Sequence, residues 1–147
     1  MACGLFACAA WVHAAPPERN DIARLQARAD AGEVRAAFDL GRMYRNGIAV
    51  VRDSPRAYLL IEAAARGRHA PAMFILSNML AAGEGTAPDE ARARQWLEDA
   101  AELEYPEAMQ QLALHLRGGT LGYSPDEARS AQLVRKMAHA MKHRHQH

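Results

Sequence analysis

The sequence predicts an all-α protein: a right-handed α-solenoid of antiparallel helix pairs, with about seven helices in three repeats and an N-terminal capping helix. Two observations lead to this fold class. Alanine is very frequent and β-branched residues are few, which favours helix over strand. Apolar and small residues also recur at a fixed period, the signature of repeat architectures. At 147 residues, half of them apolar, the chain suits one domain with a continuous core.

The repeat is visible as equivalent positions spaced by 36 residues. Three sets of identical residues define it: Ala36, Ala72 and Ala108; Leu40, Leu76 and Leu112; Gly47, Gly83 and Gly119. After one inserted residue near Thr120, the aspartates Asp53, Asp89 and Asp126 also correspond. Each unit therefore contains two helices, here called helix A and helix B, joined by a loop of about six residues.

The ends of both helices carry recognisable signals. Helix A of the first unit places Ala36, Leu40 and Tyr44 on one face, and Gly47 follows where a left-handed residue is favoured. Helix B of the first unit begins near Asp53, which can accept hydrogen bonds from free backbone N–H groups. In the second unit Pro88-Asp89-Glu90 has a similar role, and the pattern leaves open which residue caps the helix. In the third unit the run Ser124-Pro125-Asp126-Glu127 predicts that the Ser124 hydroxyl caps the helix and that Pro125 is its first residue.

Small residues at repeated positions predict close approach of helix backbones. Gly41 lies in the middle of helix A, where glycine costs about 1 kcal/mol relative to alanine. Its presence there indicates that packing requires a residue without a side chain. Helix B carries alanines at equivalent positions in the first two units: Ala57, Ala64 and Ala65, then Ala93, Ala100 and Ala101. A larger side chain at these positions would force the helices apart.

We divide the chain into a repeat domain with flanking segments. Residues 18–142 form the domain, as a half repeat at 18–35 and full repeats at 36–71, 72–107 and 108–142, and residues 143–147 are a histidine-rich tail. The half repeat is a lone helix B that caps the stack, since terminal repeats are atypical.

Residues 1–15 resemble the remnant of a secretory signal peptide. Residues 2–15 are apolar, too short to span a bilayer, and offer a cleavable bond after Ala14. We therefore expect a periplasmic or secreted bacterial protein, with a cytoplasmic protein as the alternative, and no transmembrane span. Cys3 and Cys8 both lie in this leader, so the folded body has no disulfide and no cysteine site.

The net charge is +1 at pH 7, but it is unevenly distributed. Residues 16–68 carry ten basic and seven acidic side chains, residues 69–107 carry two and eight, and residues 108–147 carry six and two. This distribution fits either solvated helix faces or a bipolar surface that orients a partner. No basic stripe interleaved with aromatics is present, so nucleic acid is not an expected partner.

The segment AAFDLGRMYRNGIAVVRDSPRAYLLIEAAARG, residues 36–67, resembles a Sel1-like repeat. The family unit has Ala, Leu-Gly, Tyr, a glycine-bearing loop, Asp, Ala, and Ala-Ala before a glycine; residues 72–104 and 108–138 match it less fully. The resemblance implies an adaptor that binds peptides or protein surfaces. The family glycine is present as Gly32 but is replaced by Arg68 and Glu104, so we expect remodelled turns there, with Pro71 and Pro106 helping to stop the preceding helices.

A partner would bind the A helices, which line the inner face of such stacks. The predicted partner-binding residues share the helix A face turned away from the Leu40/Tyr44 face: Arg35, Phe38, Arg42, Arg45, Phe74, Asn78, Gln110, Leu114 and Arg117. Phe38 and Phe74 would form an apolar ridge flanked by arginines, a composition typical of binding hot spots. The alternative is that both phenylalanines belong to the core between repeats.

Two other functions are weaker. His139, His143 and His147 recur at i, i+4 spacing, which allows divalent-metal binding, but no carboxylate completes a site. Some relatives of Sel1-like proteins are linked to β-lactam binding or hydrolysis, but their repeat cysteines are missing here. We therefore expect a non-catalytic scaffold without cofactor or resident metal, whose partner is a protein or peptide.

Overall fold

The computed structural model describes residues 19–144, and side chains through residue 142. The predicted leader at 1–15, the last tail residues, and the side chains of His143, His145 and His147 lie outside the described part. The helices are α1 (Arg19–Asp30), α2 (Val34–Asn46), α3 (Ser54–Arg66), α4 (Ala70–Ala82), α5 (Glu90–Glu102), α6 (Pro106–Gly118) and α7 (Glu127–Arg144). The prediction of an all-α chain of seven helices is confirmed for residues 19–144, which contain no strand.

Each helix packs mainly against its neighbours along the chain. The hairpins are α2–α3, α4–α5 and α6–α7, and α1, α3 and α5 contact the helix that opens the next hairpin. Helices α2, α4 and α6 are therefore the A helices, each held between two B helices, and α1, α3, α5 and α7 are the B helices. None of the helices described is long and apolar enough to cross a membrane.

The A helices all end in the predicted way. Gly47, Gly83 and Gly119 adopt left-handed backbone with φ of 67°, 68° and 61°, and their N–H groups donate to carbonyls one turn back. Left-handed backbone places a side chain's Cβ against the following carbonyl, so glycine ends the helix at the least cost.

The B helices are capped by aspartate in every full repeat. The Asp53, Asp89 and Asp126 carboxylates accept hydrogen bonds from backbone N–H groups three residues on, at 3.0, 3.0 and 2.9 Å. The expectation that Ser124 caps the third helix B is wrong: α7 begins at Glu127, after Asp126. The third unit keeps the same aspartate cap as the other two, and Pro125 precedes the helix instead of opening it.

The turns between repeats are not remodelled, contrary to the expectation from the missing glycines. Gly32, Arg68 and Glu104 all have positive φ, at 86°, 61° and 58°. Backbone hydrogen bonds repeat as well, because His69 and Tyr105 donate to the carbonyls of equivalent alanines, Ala64 and Ala100. Pro71 and Pro106 lie in the first turns of α4 and α6, so they open the following helices instead of ending the preceding ones.

Arg68→Gly is expected to stabilise the protein by about 0.5–1 kcal/mol. Left-handed backbone costs a non-glycine residue about 1–2 kcal/mol, which exceeds the entropy that glycine adds to the unfolded chain. Urea denaturation measures the change. Ala63→Gly, at an exposed position inside α3, is the control and should destabilise by about 1 kcal/mol. Equal destabilisation by both substitutions would contradict the turn geometry.

The predicted seam of small residues is confirmed. A Cβ on Gly41 would lie 2.9 Å from the Ile61 side chain and 3.2 Å from Leu60 Cβ. In the second repeat, the equivalent Ser77 Oγ donates to the Ala93 carbonyl at 2.7 Å. In the third repeat the roles are exchanged: Ser130, at the helix B position of Ala93, donates across the seam to the Ala113 carbonyl at 2.8 Å. The repeats are thus stacked in register, with a small residue of helix A at each A–B seam.

Candidate functional site

The structure places the predicted ridge phenylalanines between repeats. Phe38 is only 6% exposed and contacts the His69 ring, with 4.3 Å between centroids. Phe74 is half-buried and contacts Tyr105 in the equivalent way, at 5.7 Å. Gln110, at the same position of α6, is exposed. The prediction that Phe38 belongs to an exposed apolar ridge is therefore wrong, because His69, the N-cap of the next A helix, covers it.

The next row of predicted residues is more accessible. Arg42, Asn78 and Leu114 occupy equivalent positions; Arg42 is exposed, Asn78 is half-buried, and Leu114 is 57% exposed. The Arg42 guanidinium lies 5.6 Å from the Phe38 ring centroid, which is a cation–π geometry. No carboxylate pairs with Arg42 among residues 19–142.

The remaining predicted arginines differ in their availability. Arg45 makes three hydrogen bonds of 2.9–3.1 Å to the Glu84 carboxylate, and both side chains are half-buried. Arg45 therefore clamps two repeats together and is not available to a partner. Arg35 pairs with Asp39 at 3.1 Å on the surface. Arg117 is exposed and forms no ion pair within the described part of the chain.

The accessible remainder forms one surface across the three A helices. We call it the A surface and define it by six residues: Arg42, Phe74, Asn78, Gln110, Leu114 and Arg117. It offers two amides, one exposed leucine and two guanidinium groups that have no ion pair within residues 19–142.

Beside the A surface runs a chain of hydrogen bonds that the sequence analysis missed. Gln111 Nε2 donates to Asn78 Oδ1 at 2.8 Å and lies 3.4 Å from His115 Nε2. His115 Nδ1 lies 2.7 Å from Thr120 Oγ1. The signal was the replacement of Met43 and Met79 by His115 in the third repeat. These contacts of His115 include no carboxylate, so the hydrogen bonds orient Asn78 without forming a catalytic triad.

Burial shifts the titration of three rings near the A surface. It lowers the pKa of His69, and the nearby Arg35 charge lowers this pKa further. Burial also lowers the pKa of His115. The pKa of Tyr105 is raised, first by burial and then by the Glu107 charge. All three rings are therefore held in their neutral forms at neutral pH.

Stability is expected to fall as the pH decreases from about 7.5 to about 5. His69 and His115 have lowered pKa values in the folded chain, whereas an unfolded histidine takes up a proton near about pH 6.5. The two neutral rings thus make their full contribution to the free energy of unfolding above that pH, and this contribution is lost as the pH falls towards the pKa values of the folded chain.

The double variant His69→Tyr, His115→Met introduces residues found at equivalent positions of other repeats and should flatten this pH dependence. Melting temperatures across the pH range measure it. An unchanged slope in the double variant would assign the effect to other groups.

The B helices carry a second repeated arrangement, also missed from the sequence. Arg56, Arg92 and Arg129, three residues after the capping aspartates, reach back to the preceding helix B, where Gln26, Glu62 and Glu98 accept at 2.7, 2.8 and 3.5 Å. Tyr58 and Glu62, as hydrogen-bond acceptors, raise the pKa of Arg92. The signal was an Asp-x-x-Arg pattern in each unit.

We call these hydrogen bonds of Arg56, Arg92 and Arg129 the ladder, and they distinguish the B side of the stack from the A side. The three arginines of the ladder are bonded within the chain, and each connects two consecutive B helices. Arg42 and Arg117 of the A surface, in contrast, have no ion pair in the described part of the chain.

The described residues do not assemble a metal site. No group of three His, Cys, Asp or Glu side chains within residues 19–142 is arranged to hold a metal ion. Of the tail histidines considered from the sequence, only His139 has a described side chain.

Comparison with known proteins identifies the repeat. The Sel1 repeat model of protein families matches residues 34–69, 70–105 and 106–140. A Sel1 repeat protein from Oxalobacter formigenes has a similar structure, with a TM-score of 0.74 and 25% identity over 83% of this chain and 48% of that one. A protective antigen of uropathogenic Escherichia coli with an SLR fold gives a TM-score of 0.75 and 22% identity over 82% of this chain and 26% of that one.

The chain thus spans about half of the first protein and about a quarter of the second. No curated protein matches it. The family model covers most of the chain, in three consecutive units that coincide with the three helix hairpins. The chain belongs to the Sel1 repeat family, whose members generally serve as protein-interaction scaffolds.

Proposed function

We propose that this protein is a non-catalytic scaffold that binds a carboxylate-bearing segment of a partner protein on the A surface. One observation carries the proposal: Arg42 and Arg117 are exposed without an ion pair among the described residues, whereas the ladder arginines of the B side are bonded within the chain. An exposed cation with no intramolecular partner is free to pair with a carboxylate of another molecule.

The chemistry of the A surface supports a peptide or protein ligand. Arginine can hold a carboxylate through two parallel hydrogen bonds. Arg42 lies beside the buried Phe38 ring, so part of its side-chain entropy is already lost before binding. Leu114 adds an exposed apolar anchor, and Asn78 offers an amide oriented by Gln111. A short acidic segment with one apolar side chain satisfies all of these groups.

The proposed location is the periplasm or the cell exterior, with the cytoplasm as the alternative. The apolar residues 2–15 support export. Fusion of residues 1–17 to a reporter that is active only after export tests it. An inactive reporter, with the fusion intact in the cytoplasm, would favour the alternative.

Site-specific photo-crosslinking in native cells tests the binding surface. A benzophenone side chain at position 114 on α6 is compared with one at position 59 on α3, because Leu114 and Leu59 are 57% and 64% exposed. We expect a discrete protein adduct at position 114 and none at position 59. Adding Arg42→Glu should abolish the adduct, because a carboxylate would then face a carboxylate.

Two results would contradict the proposal. One is an adduct of equal yield at position 59, which would place the partner on the B side or make the contact non-specific. The other is an adduct at position 114 that survives Arg42→Glu together with Arg117→Glu. Melting temperatures of these variants should stay within a few degrees of the unsubstituted chain, because both arginines are exposed.

A further inference from the structure

Helix α7 differs from the other B helices in the burial of equivalent residues. Ile61 and Leu97 are fully buried, but Val134 at the same position of α7 is 40% exposed. Ala65 and Ala101 are also buried, whereas the equivalent Ala138 is exposed. One face of α7 has thus lost the cover that α3 and α5 have.

The earlier repeats show what normally covers this face. Helix α3 packs against α4 and helix α5 packs against α6, which are the A helices of the following repeats. Among the described residues, α7 packs against only one A helix, α6. The uncovered positions Val134, Ala138 and Met141 lie at i, i+4 and i+7, so they form one stripe. We call this stripe the end face.

The end face extends beyond the length of a repeat. His139 corresponds to Glu102, the last residue of α5, yet α7 continues to Arg144. This extension contributes Met141, which is 47% exposed. The stripe is therefore long enough to contact about two turns of a second helix.

Exposed cations beside the end face indicate which side chains a helix bound there would carry at its edges. Arg135 and Lys142 are exposed beside the stripe, and neither has an ion pair within residues 19–142. Lys136, in contrast, pairs with Glu104 at 3.3 Å. Unpaired cations next to an apolar stripe favour an occupant with carboxylates on its edges.

A second copy of this chain does not fit these requirements. Its A helices are each enclosed by two B helices, so none is free to cover α7. Its opposite end presents α1, which is a B helix, whereas an A helix covers the equivalent faces of α3 and α5. Contact between α7 and α1 would therefore pair two B helices and would not reproduce the packing of the stack.

We propose that the end face docks an amphipathic helix from another protein, with small and apolar residues along one side and carboxylates on its flanks. The docked helix takes the place of a following A helix and continues the stack by one element. This interaction is separate from ligand binding on the A surface.

A synthetic helix derived from α6 tests the proposal. The probe has the sequence of residues 105–119 with Gln110, Leu114 and Arg117 each changed to Glu, and it carries a hydrocarbon staple because short helices are marginal in water. It keeps Ala108, Met109 and Leu112, the buried residues with which α6 packs. A matched probe carries Lys at the same three positions. Fluorescence anisotropy measures binding of each probe to the full chain.

We expect saturable binding of the acidic probe and at least about tenfold weaker binding of the basic one. The variant Val134→Asp, Met141→Asp should weaken binding of the acidic probe by at least about tenfold without lowering the melting temperature, because both residues are exposed. The variant Arg135→Glu, Lys142→Glu should weaken the same binding. Leu59→Asp, on the exposed side of α3, and Arg42→Glu, on the A surface, are controls that should leave it unchanged.

Several results would overturn the proposal: no binding of the acidic probe, equal affinity for the two probes, binding that survives Val134→Asp with Met141→Asp, or binding lost in Arg42→Glu. Sedimentation of the chain alone tests the other occupant. A dimer that the Val134→Asp, Met141→Asp variant dissociates would assign the end face to a second copy.

Discussion

Leu76→Ala is expected to lower the free energy of unfolding by about 2–5 kcal/mol, which is the range for leucine truncation in a packed core. Leu76 is fully buried in the middle of α4, the central A helix of the stack. The helix packs against α3 and α5, so neighbouring side chains cannot easily move into the space that the substitution leaves. A loss of this size is a large fraction of the total stability of a small domain.

Leu114→Ala is the matched control, since it removes the same atoms from an A helix at a 57% exposed position. We expect its effect to be within about 0.5 kcal/mol of zero. Chemical denaturation of both variants provides the comparison. Similar small effects of the two substitutions would mean that Leu76 does not lie in a packed core.

Gly85→Ala is expected to destabilise the protein by about 3 kcal/mol or more, through strain and steric overlap together. Gly85 lies in the loop between α4 and α5 with φ of 75°. A Cβ added there would overlap the Ser54 carbonyl group, 2.6 Å from its carbon, and would lie 3.1 Å from the Pro55 nitrogen. These are backbone atoms at the start of α3, so relief requires movement of a whole loop against the preceding repeat.

Gly32→Ala separates the two contributions. Gly32 has φ of 86°, but a Cβ there would meet nothing within 4 Å. This control should therefore cost only the left-handed strain, about 1–2 kcal/mol. Denaturation curves for both variants give the difference between them. An equal cost would contradict the contact between the α4–α5 loop and the start of α3.

Much of the fold could be predicted from the sequence because the repeat imposes the same local physics three times. Gly47, Gly83 and Gly119 each end a helix in left-handed backbone, and the small seam residues each allow close packing. A signal that is ambiguous in a single helix becomes reliable when it recurs at the equivalent position of three units. The prediction that Ser124 caps the third helix B is wrong because it follows the local motif, whereas the repeat places Asp126 at the position of the other two capping aspartates.

The turns at Arg68 and Glu104 show a different limit. The residue types at these positions predict a changed backbone, because glycine is missing. The hydrogen bonds and the packing of the flanking helices nevertheless keep the same left-handed turn. Tertiary structure thus tolerates a local strain of about 1 kcal/mol that propensity disfavours.

The candidate site was less predictable because it depends on contacts between repeats. The helical pattern places Phe38 and Arg45 on the outward face of α2, but it does not show that His69 covers Phe38 or that Glu84 holds Arg45. These partners flank the next A helix, α4, one before it and one after it, so the periodicity within α2 cannot show them. Among the residues that the structure describes, no such partner reaches Arg42 or Arg117.

The register of the three hairpins is the claim on which the A surface, the ladder and the end face all depend. A NOESY spectrum of the labelled protein tests it directly at equivalent seams. We expect cross-peaks between Gly41 and the Ile61 side chain, between Ser77 and Ala93, and between Ala113 and Ser130. The absence of any of these cross-peaks, with α-helical shifts retained at both residues, would contradict the in-register stack.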